Sequence, residues 1–157
     1  MKISKNFSLS ELTKSDIAIR NGIDNSPNAG QLECIITLVN GFLQPLRDKV
    51  GMPIKITSCF RKDEIDTILV GYQRSTPSQH VKGEAADFEV PGMDNLDLAE
   101  YIRDNMDFDQ LILEYYENGK PDSGWVHCSY KKSGNRKEVL RARLLENKKT
   151  QYTKGLN

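Results

Sequence analysis

Between Ser26 and Gly51 the apolar residues Leu32, Ile35, Ile36, Val39, Phe42, Leu43 and Leu46 recur at helical spacing. A helix with such a stripe must lay it against a second layer of structure. Ser26-Pro27 supplies the cap and first-turn proline of this helix, Gly51 its stop, and Pro45 disturbs its last turns. The covering layer lies mostly downstream, where short β-branched or alternating runs are separated by turn formers. Ile54 to Thr57, Ala85 to Val90, Gln110 to Tyr116 and Trp125 to Tyr130 read as strands, and Lys137 to Leu144 fits a last strand or a helix. The loop Glu117 to Gly124 joins two of them into an antiparallel pair. Shorter helices are expected after Ser8, which has Glu11 in capping-box position and Leu9 and Leu12 facing inward, and after Arg61 ahead of a polar loop from Gln73 to Gln79. Another runs from a cap at Asp94 or Asn95 to about Met106. The tail over 146–157 has lysines and no apolar pattern, so it is expected to fray. Helices followed by strands predict an α+β fold, a mainly antiparallel sheet packed by helices, in one domain spanning 1–157.

Charge narrows the function classes. The chain carries 22 basic and 22 acidic side chains, without the basic excess that phosphate backbones select, so no nucleic-acid partner is expected. A small peptide or sugar substrate needs no such excess. No apolar run approaches the roughly 18 residues of a membrane helix, and the start MKISKNFSLSELTKSD lacks the apolar middle of a signal peptide. The expectation is a protein made in the cytoplasm, free of the membrane, and monomeric. Cys34, Cys59 and Cys128 are an odd number without paired spacing and are expected to be reduced thiols.

Only two histidines occur in the 157 residues. His80 ends the polar loop, Asp87 follows seven residues later on a strand, and His127 lies in mid-strand. Two imidazoles and one carboxylate are a common catalytic zinc set that leaves a position open for water or substrate. From composition alone, a solvated loop histidine and one satisfied within a sheet are the simpler account. The surrounding residues are compatible with a metal. Gly83 lets the chain turn so that His80 and Asp87 can approach one ion, and small Ala85 leaves room on the face shared with Asp87. One zinc ion there would bring the pKa of its water near neutrality and supply hydroxide as nucleophile.

The segment Ser78-Gln79-His80-Val81-Lys82-Gly83-Glu84-Ala85-Ala86-Asp87 resembles the S-x-H-x-x-G-x-A-x-D motif of the zinc D-alanyl-D-alanine carboxypeptidase family, with every fixed position present. That family includes vancomycin-resistance dipeptidases and phage L-alanyl-D-glutamate endolysins, and its fold resembles the signalling domain of hedgehog proteins. Ser58-Cys59-Phe60-Arg61 looks like its S-G-Y-R, and Trp125-Val126-His127 like the segment of its third ligand. Together these pieces cover roughly residues 30–130. The resemblance implies a zinc site of His80, Asp87 and His127, and hydrolysis of peptidoglycan stem peptides or their precursors. The expected activity is that of a D,D-carboxypeptidase or an endolysin-type endopeptidase. The expected lack of a leader fits a phage or prophage lysin released to the cell wall by a holin, or an enzyme of intracellular precursor turnover.

Hydrolysis also needs a proton acceptor and an anion partner. Glu114 ends a strand whose partner carries His127, so it is assigned as general base. The family's dipeptidases place that glutamate three residues before the third ligand, where this chain has Gly124, and Glu84 and Asp122 stay open as substitutes. By resemblance, Arg61 stabilises the oxyanion or holds a substrate carboxylate. Ser58, Ser78 and Gln79 are candidates to bind substrate or orient ligands, and Trp125 to line the cleft. Cys128, next to His127, should point to the opposite face. Residues Asp66 to Gln73 look degenerate beside the family pattern. The alternative function is a catalytically inactive zinc-binding interaction protein of the same fold.

Overall fold

The computed structural model describes residues 1–157, built on one sheet of six strands in the order β1-β2-β4-β3-β5-β6. The strands are β1 (Lys55–Ser58), β2 (Ala85–Glu89), β3 (Gln110–Glu114), β4 (Trp125–Ser129), β5 (Glu138–Leu144) and β6 (Thr150–Lys154). Neighbouring strands are antiparallel except β3 and β5, which are parallel. The α+β class with a mainly antiparallel sheet is therefore as expected. No helix is long and apolar enough to cross a membrane.

Alternation along the central strands divides the sheet into two faces. Ala86 and Phe88 of β2, Leu111 and Leu113 of β3, and Val126 and Cys128 of β4 all enter one apolar core. Of the helices α1 (Leu9–Leu12), α2 (Asp16–Arg20), α3 (Ala29–Leu38), α4 (Gln44–Val50), α5 (Asp63–Val70), α6 (Gln79–Lys82) and α7 (Asn95–Asn105), α1, α3, α4 and α7 contribute to the same core. Ile35, Leu38, Val39, Phe42, Leu43 and Leu46 are fully buried, each removal from water contributing about 1.5–3 kcal/mol. Phe42 meets Phe88 with ring centroids 6.0 Å apart. Ile36 departs from the expected stripe and is 37% exposed.

The cap of the long helix differs from expectation, whereas Pro45 disturbs its last turns as expected. The cap is Asn28, whose Oδ1 accepts from Gln31 N while Gln31 Oε1 accepts from Asn28 N, so Ser26 lies outside. Ahead of Pro45 the helix widens into a π turn over Val39–Leu43, in which Gln44 N donates to Val39 O. Proline has no N–H for the residue four back, and its ring would strike that carbonyl. The wider turn absorbs both problems without breaking the apolar stripe.

The tail does not fray. Residues 150–154 form β6, paired antiparallel to β5 from Leu140↔Lys154 to Leu144↔Thr150, and Leu156 beyond it is 3% exposed in the core. An edge strand buries little on either side, so it shows no apolar alternation. Its strand signal resides in Thr150, Tyr152 and Thr153, and the open edge of β5 supplies the partners.

Candidate metal centre

The second face of β2, β3 and β4 is polar and forms the floor of a cleft of about 510 Å³. Asp87 and His127 stand directly opposite each other across β2 and β4, with Asp87 Oδ1 2.9 Å from His127 Nδ1. His80 comes from the four-residue helix α6 (Gln79–Lys82), not from the loop expected, because Ser78 caps a turn there. Gly83 ends that turn at φ 82°, and an added Cβ would lie 2.7 Å from Gln31 O, so both conformation and space require glycine. His80 Nδ1 lies 2.6 Å from the Cys59 carbonyl, to which it can only donate, and this leaves Nε2 free of hydrogen, 3.3 Å from Asp87 Oδ1. One donor atom from each of His80, Asp87 and His127 lies within 4.8 Å of the others.

Burial sets the electrostatics. Desolvation, only partly opposed by Asp87, lowers the His80 pKa and favours the neutral imidazole a metal requires. Burial pushes the Asp87 carboxyl up, but His80 and His127 outweigh it and hold the group well below the usual carboxylate range. The result is an ionised carboxylate between two imidazoles. Burial pushes the Cys59 thiol up to about 12 and the Cys128 thiol well above its ordinary value, so neither is an available thiolate. Cys128 is buried in the core on the opposite face from His127, as expected.

Glu114 lines this cleft, whereas Glu84 and Asp122 do not. Its Oε1 is 4.0 Å from His127 Nδ1, and burial, reinforced by the charge of Asp87 and opposed by His127 and Arg61, raises its pKa to about 7. Gly124 explains why no glutamate occupies the position three before His127. It sits at φ 62°, and an added Cβ would lie 2.0 Å from Glu114 O. The backbone of the cleft glutamate thus fills the space a side chain at position 124 would need.

Arg61 is 9% exposed; its Nη1 donates to Ser58 Oγ at 2.9 Å, and Nη2 lies 3.4 Å from Asp66 Oδ1. Its Nε is buried without an acceptor, a cost of about 1–3 kcal/mol. The other sequence candidates are partly committed. Ser58 holds Arg61, Ser78 Oγ caps α6, and Gln79 Nε2 donates to Glu84 Oε2 and Asp109 Oδ2, each at 3.0 Å. Trp125 is half-buried in the cleft wall beside Tyr115, with ring centroids 5.3 Å apart.

Sequence reasoning missed Asp66, Arg74, Asp109, Tyr115 and Tyr152. Asp109, 1% exposed, accepts from Arg136 Nε and Nη2 at 3.0 Å as well as from Gln79, and so ties α6 to the sheet. Burial pushes its pKa up, but these donors prevail and hold it well below the usual range. An arginine 27 residues away in sequence carries no spacing signal that would reveal this pair.

A comparison with curated proteins gave no significant match. The peptidase M15 model matches residues 5–129, a span that takes in the three donors, Arg61 and Glu114 and leaves β5 and β6 outside. On that match, which covers most of its length, the chain belongs to the peptidase M15 family.

Proposed function

We propose that this peptidase is a zinc enzyme that hydrolyses peptide bonds in peptidoglycan stem peptides. The observation that carries the reading is the convergence of His80 Nε2, Asp87 and His127 Nδ1 on the cleft floor beside Glu114. The donor set suits zinc: two imidazole nitrogens and one carboxylate oxygen lie within 4.8 Å of one another, a span compatible with metal bonds of about 2.0–2.2 Å. Bound there, zinc would polarise the scissile carbonyl and bring the pKa of a water molecule near neutrality.

The protein groups divide the remaining work. Cys59 O fixes the His80 tautomer, and the β2–β4 register sets His127 against Asp87. Glu114, poised by burial, takes the proton of the attacking water and returns it to the leaving amine. Arg61, which lines the cleft, sets its guanidinium charge near the oxygen on which charge develops.

The test is zinc content by elemental analysis of protein purified without chelator, beside His127→Ala, with mass spectrometry of muropeptides incubated with each. The expected result is about one zinc per chain, falling to near zero in the variant together with cleavage. Zinc without cleavage would favour an interaction protein of the same fold. Absence of zinc from metal-replete protein would overturn the metal reading.

A further inference from the structure

Asp66, on α5 (Asp63–Val70), is shared by two guanidinium groups although its side chain is only 2% exposed. Its Oδ1 lies 3.4 Å from Arg61 Nη2, and its Oδ2 accepts from Arg74 Nε at 2.7 Å. One carboxylate cannot neutralise two guanidiniums, so the trio keeps a net positive charge. Both arginines line the same cleft as His80, Asp87, Glu114 and His127. Arg74 is held through Nε alone, and its two Nη groups make no hydrogen bond to the protein, while its side chain stays 33% exposed. Arg61 adds its buried, unpartnered Nε. Here the second guanidinium is steered into the cleft with its bidentate end unused, the geometry that recognises a carboxylate.

The facing wall limits what can lie there. Tyr115, Trp125 and Tyr152 present aromatic surface, and Tyr152 comes from β6, beyond the span matched by the peptidase family. Arg74, Glu114 and Tyr152 line the same cleft. A peptide in the cleft thus passes between aromatic rings and a fixed positive charge.

We infer that Arg74, clamped by Asp66 beside Arg61, is a specificity-determining residue that binds a free carboxylate of the substrate peptide. The inference rests on the peptidase reading and narrows its substrate class. In a stem peptide that carboxylate has two sources: the chain terminus, or the free α-carboxylate of a glutamyl residue linked through its side chain. The first makes the enzyme a carboxypeptidase, and the second an endopeptidase cutting beside the glutamyl residue.

The experiment compares zinc-loaded wild type, Arg74→Ala and Arg74→Lys on two matched peptide pairs. One pair ends in D-alanyl-D-alanine as acid or amide, and the other carries γ-linked glutamate as α-acid or α-amide. Wild type should prefer the acid of one pair by about tenfold to a hundredfold in kcat/KM, the worth of a charge-assisted hydrogen-bonded pair. The pair that shows the preference names the source. In Arg74→Ala the acid-to-amide ratio should fall to within about threefold of one, mainly through KM, and Arg74→Lys should keep part of it. An unchanged ratio in Arg74→Ala, or no acid preference in wild type, overturns the inference. Binding of the same peptides to Glu114→Gln, followed by fluorescence of Trp125, the only tryptophan, separates the two readings. Acid-selective binding lost in the Arg74→Ala double variant, without any cleavage by wild type, would sustain the carboxylate site and sink the peptidase. Cleavage without acid selectivity would do the reverse.

Discussion

The two faces of β2, β3 and β4 are built from alternate residues of the same strands and behave as opposites. On one, Ala86, Phe88, Leu111, Leu113, Val126 and Cys128 join a core with almost no contact with water. On the other, Asp87, Glu114 and His127 are drawn together while largely desolvated. A shift of register by one residue would exchange the faces and destroy both. The difference teaches where stability and chemistry reside: the packed face gains free energy from burial, and the cleft face spends part of that gain holding charges where ions are disfavoured.

The largest effect should come from the packed face. Phe88→Ala removes a fully buried ring that meets Phe42 and should cost about 3–5 kcal/mol in metal-free protein. Thermal melts should show a fall of roughly 6–20 °C, similar at pH 5 and pH 8. A loss below about 1 kcal/mol, or one that depended on pH, would break the division between the faces.

On the cleft face the sign should reverse. Glu114 has a pKa of about 7 in the folded chain against an ordinary 4.5. Below pH 4.5 folded and unfolded states are both protonated, and the residue has no pH-linked effect. As pH rises, the unfolded state ionises first, so stability falls until the folded carboxyl also ionises near pH 7. Glu114→Gln removes this loss and should stabilise metal-free protein by up to about 3 kcal/mol at pH 8 and by little at pH 4.5. In zinc-loaded protein the same change should lower kcat by about 10²–10⁴-fold. Denaturation at the two pH values decides it: an equal gain at both, or a loss at pH 8, would show that burial of this carboxylate is not what the fold resists.

Legibility in the sequence followed the range of the physics. His80, Gly83 and Asp87 lie within one turn and one strand, so a contiguous motif could carry the family resemblance that joined them, where spacing alone did not decide between a metal and two structural histidines. Glu114 was reachable through a single strand pairing, confirmed in register as Glu114↔Trp125 two positions from Ile112↔His127. Asp66 and Arg74 were not, because the helix and loop that carry them have little apolar pattern and their meaning appears only once Arg61 is placed beside them. Asp109 was hidden for the same reason, its partners being 27 and 30 residues away. The helix of His80 has four residues, too few for a period to show. The edge strand β6 failed differently: its residues had strand propensity, but an exposed edge erases the alternation on which the expectation of a frayed tail relied.

That hairpin gives the smallest and sharpest extension of the comparison, since it carries the cleft face past the end of the family match. Tyr115 stands at φ 56°, a conformation a tyrosine rarely adopts, directly after β3 and beside Trp125. Its hydroxyl is 2.6 Å from Thr150 Oγ1 on β6. The bond therefore links the aromatic wall to the edge strand. Thr150→Val keeps the shape and β propensity of the side chain and removes only the hydrogen bond, so it should cost about 0.5–1.5 kcal/mol. If the bond also holds Tyr115 in place, the emission of Trp125 should shift in the folded variant and KM should rise with kcat little changed. Lost stability without those changes would assign the bond to docking of the hairpin alone. No change in any of the three would mean that backbone pairing with β5 and the buried Leu156 fix β6 by themselves, and that the outer wall, unlike the floor, owes its position to the packed face.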